Sequence, residues 1–334
     1  MIKQSKAMAL AAGIANTKKN LPILSTALVQ NERLIVTDLT QRLMLDLPGV
    51  MGEGLISGAV LKVCGDQALC FDDSGAMVAG AISYEAPTRD NGERMTVADF
   101  PLEDMTTDAK YIVKAVDLLK ALETVRRAMA KDDVRYYLDG ALFTDSRIVA
   151  TDGHRLSIAP LSPTLTVAPA ADAIVPRGTV LTLIKLLKAA PSNDVTFARS
   201  DKFVSWTGAG WVLSSHIVDG RYPDIDRVMP CGGTVRVVFD VKRIQDTLKA
   251  LKPMLNAKYS GIVLDLVAGT IAPGVGQGIA CFTGNPAGFA IGFNSEYILD
   301  ALASVGTPMV ELVFTDKGSS VLIAERHVVM PMRL

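Results

Sequence analysis

Thr151-Asp152-Gly153-His154-Arg155-Leu156 sets a carboxylate and an imidazole two residues apart, a pairing that serves acid–base catalysis or a divalent metal. The other two histidines, His216 and His327, do not extend it into a ligand set. An upstream segment, Thr37-Asp38-Leu39-Thr40, carries the same Thr-Asp pair without a histidine, so the pair reads more simply as turn chemistry. Cys64, Cys70, Cys231 and Cys281 show no CxxC spacing and no neighbouring histidines, which argues against zinc or a disulfide framework and suits a reducing cytoplasm. Gly274-Val275-Gly276-Gln277-Gly278 lacks the lysine and the strand-to-helix setting of a nucleotide loop and reads as a hairpin loop. No catalytic residue, metal or cofactor is expected, with a metal-dependent enzyme around Asp152 and His154 left as an alternative.

Binding chemistry is better represented. The apolar stretch Val328-Val329-Met330-Pro331-Met332-Arg333-Leu334 combines adaptable methionines with a proline of fixed φ. Such a mixture suits a docking groove; a last strand completing a sheet explains Val328 and Val329 equally well. Positive charge is the second candidate. The formal net charge is −1, without the basic excess usual for a nucleic-acid partner, but an average cannot report charge separated onto one face. Lys114, Lys120, Arg127 and Lys131 form a stripe interrupted by Asp117, and Lys185 with Lys188, then Lys242, Lys249 and Lys252, repeat the bias. Lysines on one helix usually serve solubility; several helices sharing a surface can hold a phosphate backbone by charge alone.

The elements that position these groups recur along the chain. Ala27 to Asp38 and Ala141 to Asp152 match without a gap as strand, tight polar turn, strand. Asp99-Phe100-Pro101 and Arg221-Tyr222-Pro223 close two successive units, and Gly261 to Gly269 begins a fainter third copy. Apolar residues at three- and four-residue steps predict helices over Ile112 to Val125 and Val180 to Leu187, with two more from Asp240 to Leu251 and Asn294 to Leu302, where Asp240 and Asn294 suit N-caps. Lys3 and Lys6 before an alanine-rich run imitate a signal peptide, but Lys18-Lys19 follow it, and a first amphipathic helix is the simpler account. No stretch approaches the ~20 apolar residues of a membrane span. Strand-rich units with about two helices each imply α+β domains in tandem, over 1–107, 108–230 and 231–334.

Several strings resemble the β subunit of bacterial DNA polymerase III, the sliding clamp: Asp133 to Leu138, Ala150 to Leu156, Ile174-Val175-Pro176-Arg177, Val218 to Asp224, Gly292-Phe293-Asn294 and Val328 to Leu334. The first unit carries the resemblance more thinly, through Asn20 to Leu24, Thr37-Asp38 and Ala98 to Pro101.

The resemblance implies the DNA clamp fold, closed head to tail into a homodimeric ring around double-stranded DNA that is held without regard to sequence. It implies a non-catalytic processivity factor whose partners are the polymerase III α subunit, the clamp loader and other proteins bearing a clamp-binding peptide, with no membrane partner. Similar clamps bind such peptides, roughly of Gln-Leu-x-Leu-Phe type, in a pocket that matches Arg135, Leu138, Thr151, Gly153, His154, Arg155, Leu156, Pro223, Arg227 and Val228. The tail, Val328, Val329, Met330, Pro331, Met332, Arg333 and Leu334, completes it. Leu156, Val228, Val329 and Met332 would form apolar walls, and Arg135, Arg155 and Arg333 a polar rim. By the same resemblance Lys18, Tyr136 and Tyr137 would lie near DNA, the charge bias of the helices adds Lys114, Lys120, Arg127, Lys185 and Lys188 as DNA contacts together with Lys19, and Met254 and Leu255 match an apolar pair across the subunit interface. Ser83 to Thr96 offers no clear match to the opposing strand. A monomer that keeps the groove and sequesters clamp partners is the alternative.

Overall fold

Short runs rich in β-branched and other apolar residues recur along the chain, and strands dominate the computed structural model, which describes residues 3–15, 21–166, 172–257, 259–274 and 278–333. The described residues cluster into two compact units. One comprises 1–120, 143–146 and 161–218, the other 121–142, 147–160 and 219–334.

In the first unit, nine strands form one sheet, ordered Leu165–Thr166, Ala109–Lys114, Asp194–Arg199, Phe203–Gly208, Trp211–His216, Gln41–Asp46, Arg33–Thr37, Thr26–Gln30 and Gly54–Ser57. Trp211 pairs with Leu45 and Ser215 with Gln41, so strands from the first and second sequence repeats share a ladder. Asn31 and Glu32, at φ 52° and 55°, make the tight turn between Thr26–Gln30 and Arg33–Thr37, the backbone that a two-residue hairpin requires. Tyr111, Phe143, Phe197 and Trp206 interlock in the core, Tyr111 stacking on Phe197 at 4.6 Å. A smaller sheet joins Leu69–Phe71, Met77–Ala79 and Ile82–Tyr84. Helices Gln4–Ala15 and Arg177–Ala189 both belong to this unit.

In the second unit a sheet runs through 140–142, Arg147–Thr151, Arg155–Pro160, His327–Val329, Val321–Ile323, Met309–Phe314 and Val235–Asp240. A four-stranded sheet joins Ile279–Ala280, Thr270–Ala272, Gly261–Asp265 and Ala290–Asn294. Helices Val241–Leu251 and Ser295–Leu302 pack with them around a core that includes Phe239, Ile244, Leu248, Phe293, Ile298, Leu312 and Phe314. Asp240 accepts a hydrogen bond from the amide of Arg243, and Asn294 from those of Glu296 and Tyr297, so both expected N-caps are present.

The helix expected from Ile112 begins later, at Ala115, and ends at Val125. Ile112 and Val113 belong to the preceding strand, where Val113 pairs with Val195; Val116, expected in the core, is 70% exposed. Ala115, Leu118, Ala121, Leu122 and Val125 form the buried stripe instead. The Gly274 to Gly278 loop lies in part outside the described residues. No helix among the described residues is long and apolar enough to cross a membrane.

Candidate functional site

The two Thr-Asp segments adopt one local geometry. Asp38 Oδ1 accepts from the amides of Thr40 and Gln41, while Thr37 Oγ1 donates to the carbonyl of Gln41 and accepts from the amide of Leu39. Asp152 Oδ1 accepts from the amides of His154 and Arg155, while Thr151 Oγ1 donates to the carbonyl of Arg155 and accepts from the amide of Gly153. Residue three of each loop has positive φ, 71° at Leu39 and 87° at Gly153. At Gly153 a Cβ would stand 2.5 Å from Arg135 Nη1, so glycine both suits the turn and admits the guanidinium.

This turn aims the next strand at the C-terminal one. Arg155, Leu156 and Ser157 pair with Val329, Val328 and His327, and the amide of Met330 donates to the carbonyl of His154 at 2.9 Å. The last strand therefore completes the sheet, and beside it opens a cavity of about 150 Å³. Leu138, Leu156, Pro223, Val228, Val328 and Met330 supply its apolar lining, with Arg135, Thr151, Gly153 and Arg155 around them. Tyr137 and Ile225 also line it. Tyr137 is the residue expected near DNA, and Ile225 is absent from the expected set, although it sits in the run from Pro223 to Val228 that supplies two of the expected lining residues.

His154, Arg227, Val329, Pro331, Met332 and Arg333 are outside that lining, and Leu334 lies outside the described residues. Side chains alternate along a strand, so Val328 and Met330 share the cavity while Val329 is buried in the opposite core. Met332 has turned toward the other sheet: its amide donates to the carbonyl of Gly292, and its Cε lies 3.6 Å from where a Cβ on Gly261 would be. Val329 and Met332 are thus not the walls the sequence suggested. Arg227 pairs with Asp224 at the surface.

The guanidiniums are held by acids. Arg135 bonds Asp133 through two nitrogens and the carbonyl of Asp152 through Nη2. The hydrogen bonds from Arg135 draw the Asp133 carboxyl down to about 2. Arg155, expected on an open rim, is largely buried, paired with Asp152 and Asp300, and lies 4.4 Å over the Tyr297 ring. The Tyr222 hydroxyl accepts from the amide of Thr151, and burial holds its pKa above the usual phenol range. At Tyr222-Pro223 the aromatic residue thus braces the turn, whereas its echo Phe100, which has no hydroxyl, packs in a core cluster with Leu28 and Ile35. Behind the groove, His327 is enclosed between Ser157 (Nδ1, 2.9 Å) and Ser304 (Nε2, 2.7 Å).

The groups of the Asp152–His154 pair are taken up by other contacts. The Asp152 carboxylate is occupied by two amides and Arg155, and the His154 ring faces Tyr297 at 6.5 Å. Among the described residues no three His, Cys, Asp or Glu side chains are grouped to hold a metal ion.

The basic residues fall into separate settings. Lys185 and Lys188 face the same open groove as Lys6, over Ala9, Leu10 and Gly13. Lys114 sits in a strand, ion-paired with Asp194 at 2.8 Å, so it does not continue the helical stripe. Arg127 pairs with Asp300. Lys249 and Lys252 line an opening of about 460 Å³ with Arg127, Lys252 pairing with Glu296. Lys242 pairs with Asp246, and Lys120 is exposed on helix Ala115–Val125. Tyr136 is exposed, edge-on to Tyr137. Lys18 and Lys19 lie outside the described residues. Met254 is 68% exposed, whereas Leu255 packs against the core.

Comparison with known proteins gives one family throughout. Residues 112–224 match the family model of the DNA polymerase III beta subunit central domain, and 280–333 that of its C-terminal domain. The chain is 30% identical to the beta sliding clamp of Pseudomonas putida over 98% of its own length and 97% of that protein's. The Escherichia coli K12 beta sliding clamp is also 30% identical, over 72% of this chain and 70% of that one. A crystal structure of the Pseudomonas aeruginosa DNA polymerase sliding clamp with ligand superposes with a TM-score of 0.84 at 28% identity, covering 100% of this chain and 99% of that one. A second, bound to griselimycin, gives 0.86 at 29% identity, over 99% of this chain and 97% of that one.

Proposed function

The chain belongs to the β sliding clamp family of bacterial DNA polymerase III, with that family's fold, and on that premise we propose that it is a non-catalytic processivity factor. In this reading two copies close head to tail around duplex DNA, each built of three tandem domains over 1–107, 108–230 and 231–334. The groove beside Met330 tethers the polymerase α subunit, the clamp loader and other proteins through a short apolar peptide.

One observation carries the tethering half: an apolar cavity of about 150 Å³, open at the surface and closed on one side by the C-terminal strand. A leucine or aromatic side chain can be buried there, and such anchors dominate the energetics of small interfaces. DNA retention by enclosure requires only weak, screened attraction, which agrees with a net charge of −1 and with the ion pairing of Lys114, Lys242 and Lys252. The Asp152 and His154 pair is a turn and takes no chemical role.

Light scattering on a sizing column, followed by loading onto nicked circular DNA, tests both halves. The expected result is a mass twice 35.6 kDa and a DNA-bound fraction that is lost on linearising the circle. A monomer at every concentration that still binds a Gln-Leu-x-Leu-Phe peptide would move the function to sequestration of clamp partners.

A further inference from the structure

Asp300 is shared between two guanidiniums. Its Oδ2 accepts from Arg155 Nη1 at 2.6 Å, and its Oδ1 from Arg127 Nη1 at 2.7 Å. Arg155 lines the groove, whereas Arg127 and Asp300 line the larger opening with Lys249, Lys252 and Glu296, the last paired with Lys252, so three cations face two acids there. On the groove side the relay continues: Arg155 Nε donates to Asp152 Oδ2 at 3.0 Å, and the carbonyl of Asp152 accepts from Arg135 at 2.9 Å. All five residues lie in one compact unit. A carboxylate divided between two cations restrains each less than it would restrain one alone.

We propose that Asp300 is a positioning residue of the groove, and that its share in Arg127 links peptide binding to polyanion binding at the Arg127, Lys249 and Lys252 opening. The inference rests on the groove reading above. A phosphate that engages Arg127 leaves the whole Asp300 carboxylate to Arg155, which is then fixed more firmly over Tyr297. A groove ordered in advance loses less freedom when the peptide enters, so polyanion and peptide bind cooperatively, and linkage makes the effect reciprocal.

The test is fluorescence anisotropy of a labelled Gln-Leu-Ser-Leu-Phe peptide titrated with the full chain, with and without a short DNA duplex, at one fixed salt concentration. The duplex tightens peptide binding about 5- to 10-fold, at the low end of the usual range of such couplings. Arg127→Ala reproduces most of that gain without DNA and removes the further response. Asp300→Asn weakens peptide binding and abolishes the response, and Asp300→Glu restores part of it. A wild-type affinity that ignores the duplex overturns the proposal, as does an Arg127→Ala affinity that is unchanged or weaker. So does an Asp300→Asn protein that melts earlier yet keeps its response to DNA, since a purely structural carboxylate behaves that way. A wild-type chain that binds no peptide removes the groove reading, and this inference with it.

Discussion

Two methionines two residues apart have different fates, and strand geometry is the reason. Met330, 43% exposed, looks into the groove with Val328, while Met332 leans on the sheet edge at Gly261 and Gly292. An aspartate at position 330 would place a charge where an apolar anchor has to be desolvated, at a cost of about 1.5–3 kcal/mol in binding. Met330→Asp is therefore expected to weaken the peptide at least about tenfold with an unchanged melting temperature, and Met332→Asp to leave affinity within about twofold; anisotropy and thermal melts decide. A reversed order of the two variants would refute the placement of the groove. His327 supplies a prediction of another kind. Burial, helped by Arg326, lowers its pKa from 6.5 to about 4, so the folded chain holds it neutral while the unfolded chain protonates it first as pH falls. Its contribution is intact above pH 6.5 and is lost progressively between there and about 4. Urea unfolding at pH 8 and pH 5 should show about 2 kcal/mol of this loss, and His327→Gln should lack it; equal pH slopes in the two proteins would remove His327 as the cause.

At the scale of elements, caps and turns were legible because their chemistry is local. Asn294 and Asp240 bond amides two or three residues on, and the Thr-Asp loops close within four residues. Asn294→Ala should destabilise the chain by about 1 kcal/mol, read as a lower urea midpoint at constant slope, and an unchanged midpoint would mean that solvent satisfies those amides equally well. The start of helix Ala115–Val125 was not legible. Ile112 and Val113 fit a helical period as well as a strand, and it is the ladder with Asp194–Arg199 that holds them extended. Lys114 thereby leaves the helix and meets Asp194.

For the whole molecule, the repeats predict three self-contained units, yet Trp211–His216 pairs directly with Gln41–Asp46, so the first compact unit draws on both of the first two repeats. In the proposed ring, closure would draw on surfaces such as Met254, exposed where its neighbour Leu255 is partly buried against the core. Met254→Asp is expected to shift the solution mass from dimer toward monomer with an unchanged melting temperature, measured by light scattering across dilutions. A dimer that persists unchanged would place the subunit contact elsewhere.

The sequence by itself determined the family, the α+β class, the repeated Thr-Asp turns and the N-caps, because each is written in short strings whose chemistry acts over a few residues. Leu138, Leu156, Val228 and Met330 lie far apart in sequence, and their convergence could be expected only by resemblance to known clamps. Tertiary structure alone decided that Val329 and Met332 face away, that Tyr137 and Ile225 line the cavity, and that Arg155 and Arg127 share Asp300. Those outcomes depend on which strand lies alongside and which face of it is covered, and pairing across more than a hundred residues leaves no local mark on side-chain order.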